Sequence, residues 1–392
     1  MKHLKNVCVK LGLITLSLLT GLFVSECILR IVTVKSGGLT KLTQIPSGHT
    51  EFDKITDWKS LENSTDCPFK PNQLVTDFIT NSHGFLSEDL AYKKPDGVKR
   101  ILYLGDSFLT VTPYKFHFIP IIETSLNQKM SPNKVESINL GIACTGTSVY
   151  QKAFEVEGSL YSPDVVVVNV FVGNDFTDDQ INSLLLSKHA QLNKNPLRIF
   201  YDLKTVAFIK NMFIVLTEYL PQQNRRVTTS SKTTQAISYD PFAPTFSPDR
   251  FLEIEQQRSE IIKIGSPIYL DFSLIQNNLL DMKKRASTLN AKFVVVIIPD
   301  EMQVNKALYN EIVSRSPTRL YDIHQPQQVL KDFLDQNNIE YVDLLSYFEA
   351  EDNPQRYYQP NDTHFNSLGN NRTAEILSPV LYNMLNEIDL VK

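Results

Sequence analysis

From Arg100 onward the chain is organised by five short apolar runs, "RILYLGD", "VESINLG", "PDVVVVNVFVGND", "AKFVVVIIPDE" and "IEYVDLL". The third and fourth are almost wholly β-branched, the pattern of strands covered on both faces rather than one. Between them lie segments with helical spacing, clearest at Leu274 to Leu289 and Gln328 to Asn337. Strand and helix in alternation predict a parallel sheet in a three-layer α/β/α domain of about five parallel strands. The first four runs close on Gly, Asp or Glu. In such sheets the loops at the carboxyl ends of the strands are where ligands and chemistry collect.

The remaining stretches set the boundaries. Residues 1–34 open with Lys2, Lys5 and Lys10, then an uncharged run from Leu11 to Val24, then Glu26 and Arg30 inside a second apolar stretch. This predicts a cytoplasmic leader and membrane anchor, or a signal peptide, since the uncharged run is shorter than the roughly 20 residues a spanning helix needs. "LFVSEC" offers neither a small-residue cleavage site nor a lipoprotein cysteine, which favours an uncleaved anchor with the basic leader inside and the rest outside. Residues 35–97 are polar and turn-rich and read as a linker plus an N-terminal extension packed on the main domain, 98–392. An insertion at about 180–270 interrupts that domain. It holds an apolar helical piece, Pro196 to Leu220, and a centre near Gln222 to Gln235 poor in core-forming residues and read as mobile. Either a plain surface excursion or a lid fits it.

Charge and cysteines narrow the function. The chain has 392 residues, 42% of them hydrophobic, and a net charge of −4, with no cluster of Lys and Arg interleaved with aromatics, so nucleic acid is not an expected partner. Cys8 and Cys27 belong to the leader. Cys67 and Cys144 lie in the body and could form one disulfide in an oxidising compartment, though their spacing does not require it. No C-x-x-C, Cys/His cluster, P-loop, H-E-x-x-H or G-x-S-x-G is present, so neither a metal nor another cofactor is expected.

What stands at the strand ends is the equipment of acyl transfer. Gly105-Asp106-Ser107 follows the first run, "NLGIACTGTS" the second, Gly173-Asn174-Asp175 the third, and "NDTHFNSLGN" the fifth. A serine hydroxyl is a weak nucleophile until an imidazole takes its proton, and the imidazole needs a carboxylate to hold its tautomer and balance its charge. Ser107, His364 and Asp362 are the candidates. The N–H of Ser107 and the side chain of Asn174 are suitable donors to a tetrahedral oxyanion. Taken singly, Ser107 could cap a helix, His364 support a turn and Asn174 end a strand. His117 is read as packing, and Asp175, Asp178 and Asp179 as a solvated acidic loop.

In order and position these segments resemble the conserved blocks of the SGNH/GDSL hydrolase superfamily: "YLGDSF", "NLGIACTGT", "VFVGND" and "NDTHFNSLGNN". The resemblance covers Arg100 to Asn371 apart from the insertion and implies the flavodoxin-like SGNH fold. It also implies a second oxyanion donor from the second block, where Cys144 stands in place of the usual glycine and Gly141 and Gly146 flank it. The fifth block is usually D-x-x-H; here it is Asp362-Thr363-His364, a D-x-H form similar to the SGNH-like proteins of alginate O-acetylation. That similarity implies an envelope-facing esterase acting on O-acyl groups of a carbohydrate, periplasmic or extracellular. A polysaccharide O-acetyltransferase served by a membrane acyl-transfer partner, a lipase and a non-catalytic scaffold are the alternatives.

Overall fold

The computed structural model describes residues 72–179 and 239–390 apart from 270, 271 and 317, together with 69 and the scattered positions 17, 20, 21, 24 and 25. Nearly all of it belongs to one compact unit, Trp58–Leu186 with Ala236–Lys392. The expected anchor at 1–34, the helical piece at Pro196 to Leu220, the centre of the insertion and Cys67 lie outside the described residues or almost entirely so. Among the described residues no helix is long and apolar enough to cross a membrane.

All five apolar runs form strands. β3 (Val98–Leu104), β4 (Lys134–Asn139), β5 (Val165–Phe171), β6 (Lys292–Ile298) and β7 (Glu340–Asp343) make one parallel sheet in the order β4-β3-β5-β6-β7. A separate antiparallel pair, β1 (Leu74–Val75) and β2 (Phe78–Ile79), precedes it. β5 is central, and every residue of "VVVVNVF" is buried. β-Branched side chains pack well on a pleated surface, and each fully buried Val contributes about 1.5–3 kcal/mol of transfer free energy.

Two helical layers cover the sheet. Ile101, Tyr103, Val165, Val167, Val294 and Val296 face one core with α1 (Phe118–Lys129), α8 (Leu344–Glu349) and α9 (Ser367–Leu390). The alternate residues, such as Leu102 and Val166, are buried on the opposite face. There α2 (Thr147–Val156) packs on α4 (Ser273–Thr288). The other helices are α3 (Pro248–Arg258), α5 (Glu301–Val304), α6 (Lys306–Ser314) and α7 (Gln325–Gln336).

The described part of the N-terminal extension is pinned to the sheet by Arg100. Its guanidinium is buried and donates to Ala91 O at 2.8 Å, to Tyr92 O and Tyr161 O at 2.9 Å, and to Glu136 Oε2 at 3.0 Å. With its fork of donors engaged, a buried guanidinium is affordable.

Strand order decides where a site can form. β3 comes first of the five in sequence yet is flanked by β4 on one side and β5 on the other, so connections leave it in opposite directions. This is a topological switch point, where the loops beyond the strand ends part and leave a crevice. Ser107, the 141–146 loop and Asn174 follow β3, β4 and β5 in turn.

Candidate active site

After β3 the chain turns sharply through Gly105 and Asp106 into a short 3₁₀ turn, Ser107–Leu109. Asp106 caps it, its Oδ1 accepting from Phe108 N at 2.9 Å. The cap is fully buried, and burial pushes its carboxyl above the usual range against the pull of that bond. Ser107 opens the turn, so its N–H has no partner within the helix. Three buried side chains hold the carbonyls of the turn and of the strand end before it: Asn169 Nδ2 donates to Leu104 O at 3.1 Å, His117 Nε2 to Phe108 O at 2.9 Å and Asn139 Nδ2 to Leu109 O at 2.9 Å. His117 also accepts from Ile119 N through Nδ1, which assigns the proton to Nε2, and burial lowers its pKa to about 4. It is a structural histidine, as read from the sequence.

His364 arrives from the far end of the chain. Residues 358–365 form a closed loop: Tyr358 bridges Phe365, Gln359 N donates to His364 O at 2.9 Å, and Asn361 takes a left-handed φ of 50° at the bend. Within it Asp362 Oδ1 accepts from both the backbone N–H of His364, at 3.1 Å, and its Nδ1, at 2.6 Å. That double acceptance is how a carboxylate two residues before the histidine can still orient the ring. His364 Nε2 lies 2.7 Å from Ser107 Oγ, closer than the 3.3 Å from that hydroxyl to Asp106 Oδ2. The ring also packs on Phe108, with centroids 5.0 Å apart. Burial alone would raise the Asp362 carboxyl, but the bonds and charge of His364 outweigh it and hold it below the usual range. The structure therefore places Ser107, His364 and Asp362 in one hydrogen-bonded line.

Of the expected oxyanion donors, Asn174 stands at the end of β5 with Nδ2 bonded to Asp178 Oδ2 at 2.9 Å. That bond occupies one amide hydrogen and fixes the amide plane, leaving the other hydrogen available. Its Oδ1 is buried and unbonded. Cys144 is exposed and adopts a left-handed φ of 57°, the region that favours glycine. Gly146 precedes α2 and lies so close to Asp179 that a Cβ would stand 2.8 Å from its Oδ1. Gly141 is a correction: its N–H is committed to Asn139 Oδ1 at 2.9 Å, which removes it from the donors that could meet an oxyanion.

The acidic run is a second correction, since Asp175 and Asp179 are buried rather than solvated. Asp179 replaces a local cap for α2, accepting from Thr147 Oγ1 and, at 2.6 Å, from Ser148 N. Asp175 accepts from Phe171 N at 3.0 Å and lies 2.9 Å from the Tyr150 hydroxyl, which lies equally close to Thr145 O. The one phenol proton is shared between these two acceptors. Burial, then the charges of Asp106 and Asp179, push the Asp175 carboxyl well above its usual range against the pull of the Tyr150 bond. The alternation of charge and hydroxyl here locks the 141–146 loop to the end of β5.

The insertion's return path also reaches the site, which the sequence did not disclose. Arg258, at the end of α3, lies over the Phe171 ring at 5.5 Å and pairs with buried Glu255 at 2.9 Å. Burial, and then the charge of nearby Asp300, raise Glu255 well above its usual range against the pull of Arg258. Glu301 beside them is raised to about 8, again chiefly by burial. Among the described residues no group of His, Cys, Asp and Glu is arranged to hold a metal ion.

No protein-family model and no curated protein sequence matches the chain. Solved structures with a similar course include TesA, at 12% identity over 73% of this chain and 99% of that one, with a TM-score of 0.38. An acetyl xylan esterase, AlAXEase, aligns at 17% identity over 70% and 96% of the two chains, with a TM-score of 0.35. A lipase/acylhydrolase from Enterococcus faecalis aligns at 13% identity over 73% and 96%, with a TM-score of 0.35.

Proposed function

We propose that the protein is a serine esterase of the SGNH type that cleaves O-acyl esters through an acyl-serine intermediate. The observation that carries this reading is the line from Asp362 Oδ1 through His364 to Ser107 Oγ, with links of 2.6 Å and 2.7 Å. Ser107 Oγ attacks the ester carbonyl as His364 Nε2 takes its proton, and Asp362 balances the imidazolium. The oxygen of the tetrahedral intermediate meets the N–H of Ser107 and an amide hydrogen of Asn174, with the Cys144 N–H as a third donor. His364 then returns the proton to the leaving alkoxide. In the second half-reaction it deprotonates water, and hydroxide releases the acid from Ser107.

The carbohydrate ester is supported by the resemblance of the Asp362-Thr363-His364 spacing to envelope O-acetylation proteins. Placement at the membrane or outside it rests on the N-terminal sequence alone. A sugar hydroxyl in place of water would make the same intermediate an O-acetyltransferase, a second reading favoured by the same spacing. A scaffold that had abandoned catalysis has no reason to keep all three members hydrogen-bonded.

Labelling the full-length protein with a fluorophosphonate, beside Ser107→Ala, tests the reading. Labelling and p-nitrophenyl acetate turnover that both disappear in the variant are expected. A folded wild type that neither labels nor turns over refutes it, and product acetylated only when a glycan acceptor is present selects the transferase.

A further inference from the structure

Ser107 Oγ and His364 Nε2 meet across segments 257 residues apart in sequence, so the distance between those segments has to be fixed from outside the pair. Around the meeting point the packing is aromatic. The Phe108 ring lies 5.0 Å from the His364 ring and 4.9 Å from that of Phe365, centroid to centroid. Each atom pair in such a contact contributes little, so the rings can slide at small cost. A hydrogen bond tolerates only a narrow range of length and angle.

Such bonds are supplied by a polar junction of two buried residues, Thr112 and Asn370. Thr112 Oγ1 donates to Phe365 O at 2.9 Å and accepts from Asn370 Nδ2 at 3.1 Å. The same Nδ2 donates to Phe365 O at 3.2 Å and to Asn366 O at 2.9 Å, while Asn370 Oδ1 accepts from Phe118 N, at the start of α1, at 3.1 Å. Among the described residues, every hydrogen bond between 107–118 and 358–370 other than the Ser107–His364 link runs through Thr112 or Asn370. Ser107 O accepts from Thr110 N at 2.9 Å and Val111 N at 3.0 Å, which makes residues 107–112 one closed turn. Phe365 follows His364 directly. The circuit from Ser107 through Thr112 and Phe365 to His364 and back to Ser107 is therefore bonded at every step.

We propose that Thr112 is a positioning residue for the Ser107–His364 contact: its hydroxyl fixes the spacing of the two segments that carry the pair, and Asn370 holds that hydroxyl in place. Thr110, in the same turn, shows the contrast. Its Oγ1 reaches back only to Ser107 O, at 3.3 Å, a local bond that joins no distant segment. The proposal rests on the acyl-serine reading for its effect on turnover, but not for its effect on the Ser107–His364 hydrogen bond.

The experiment compares full-length wild type with Thr112→Val, which keeps the shape and removes the hydroxyl, and with Thr112→Ser, which keeps the hydroxyl. The nitrogen NMR resonance of His364 Nε2 in histidine-labelled protein, with the imidazole neutral, reads the bond to Ser107 directly. His364→Gln assigns that resonance, and Ser107→Ala gives its position when the bond is absent. The rate of fluorophosphonate labelling and kcat/KM for p-nitrophenyl acetate are measured separately. In Thr112→Val the resonance is expected to move toward the Ser107→Ala position, and both rates are expected to fall about tenfold. Thr112→Ser keeps the wild-type resonance and rates. Where Thr112→Val does not fold, Thr112→Ala removes the same hydroxyl with less bulk and carries the same expectation. A resonance that stays at the wild-type position without the hydroxyl overturns the proposal, as does a Ser variant displaced as far as Val. A wild type already at the Ser107→Ala position overturns both the proposal and the reading of the site. A displaced resonance in a protein that never turns over supports the positioning role and refutes the esterase.

Discussion

Replacing Asp362 with Asn separates charge from geometry at the centre of the proposed site. Asp362 is 4% exposed, and its Oδ1 accepts from the backbone N–H of His364 as well as from the ring. That backbone donor has no other use, so an asparagine at this position keeps its oxygen there. The imidazole then retains a proton on Nδ1 and a lone pair on Nε2 facing Ser107. What disappears is a full negative charge opposite the imidazolium that forms in the transition state. With charge centres about 4 Å apart and an effective dielectric of about 20, that interaction amounts to about 4 kcal/mol. The expected loss in kcat/KM for p-nitrophenyl acetate is therefore about 10³-fold. Thermal unfolding followed by circular dichroism serves as the control and should move by only a few degrees. A variant that folds normally and retains more than a tenth of wild-type kcat/KM would show that Asp362 is not the charge partner of His364.

The remaining expectations concern the scaffold. Gly173→Ala would drive a Cβ against the Phe171 ring and within 2.5 Å of Asp300 Oδ2, at the turn that carries Asn174. Overpacking of this kind costs about 1–3 kcal/mol, visible as a lower midpoint in urea, and an unchanged midpoint would show that the turn relaxes freely. Glu301 has its folded-state pKa raised from 4.5 to about 8, so the stability it contributes is complete below pH 4.5 and is lost as pH rises through 8. Glu301→Gln should accordingly gain in melting temperature on wild type between pH 5 and pH 8, and a pH-independent difference would contradict the buried-carboxyl account.

Much of this was legible in residue order. Largely β-branched runs at Val165–Phe171 and Lys292–Ile298 admit little besides strands covered on both faces, and both are interior strands of the sheet. Serine, asparagine and histidine at loop positions stood out because chemistry-bearing residues at strand ends are few. One signal was visible and unused: Asn169 is the single polar residue in "VVVVNVF", and a buried amide there had to find a carbonyl, which proved to be Leu104 O.

Other features depend on which segments meet, and periodicity along one chain carries no such information. The order β4-β3-β5-β6-β7 arises from how helices of both layers pack back on the sheet, and it alone brings Ser107 beside a histidine more than half the chain away. Asp175 and Asp179 look like a solvated run because local composition cannot show that Tyr150, Thr147 and Ser148 need their oxygens as partners. The commitment of Gly141 N–H to Asn139 and the pairing of buried Glu255 with Arg258 are of the same kind. The sequence by itself determined the five strands of the parallel sheet and the candidate groups for acyl chemistry, because burial on both faces and that chemistry each demand particular residues. Only the tertiary structure decided which polar atoms are orphaned without a distant partner, because desolvation is a property of the packed whole.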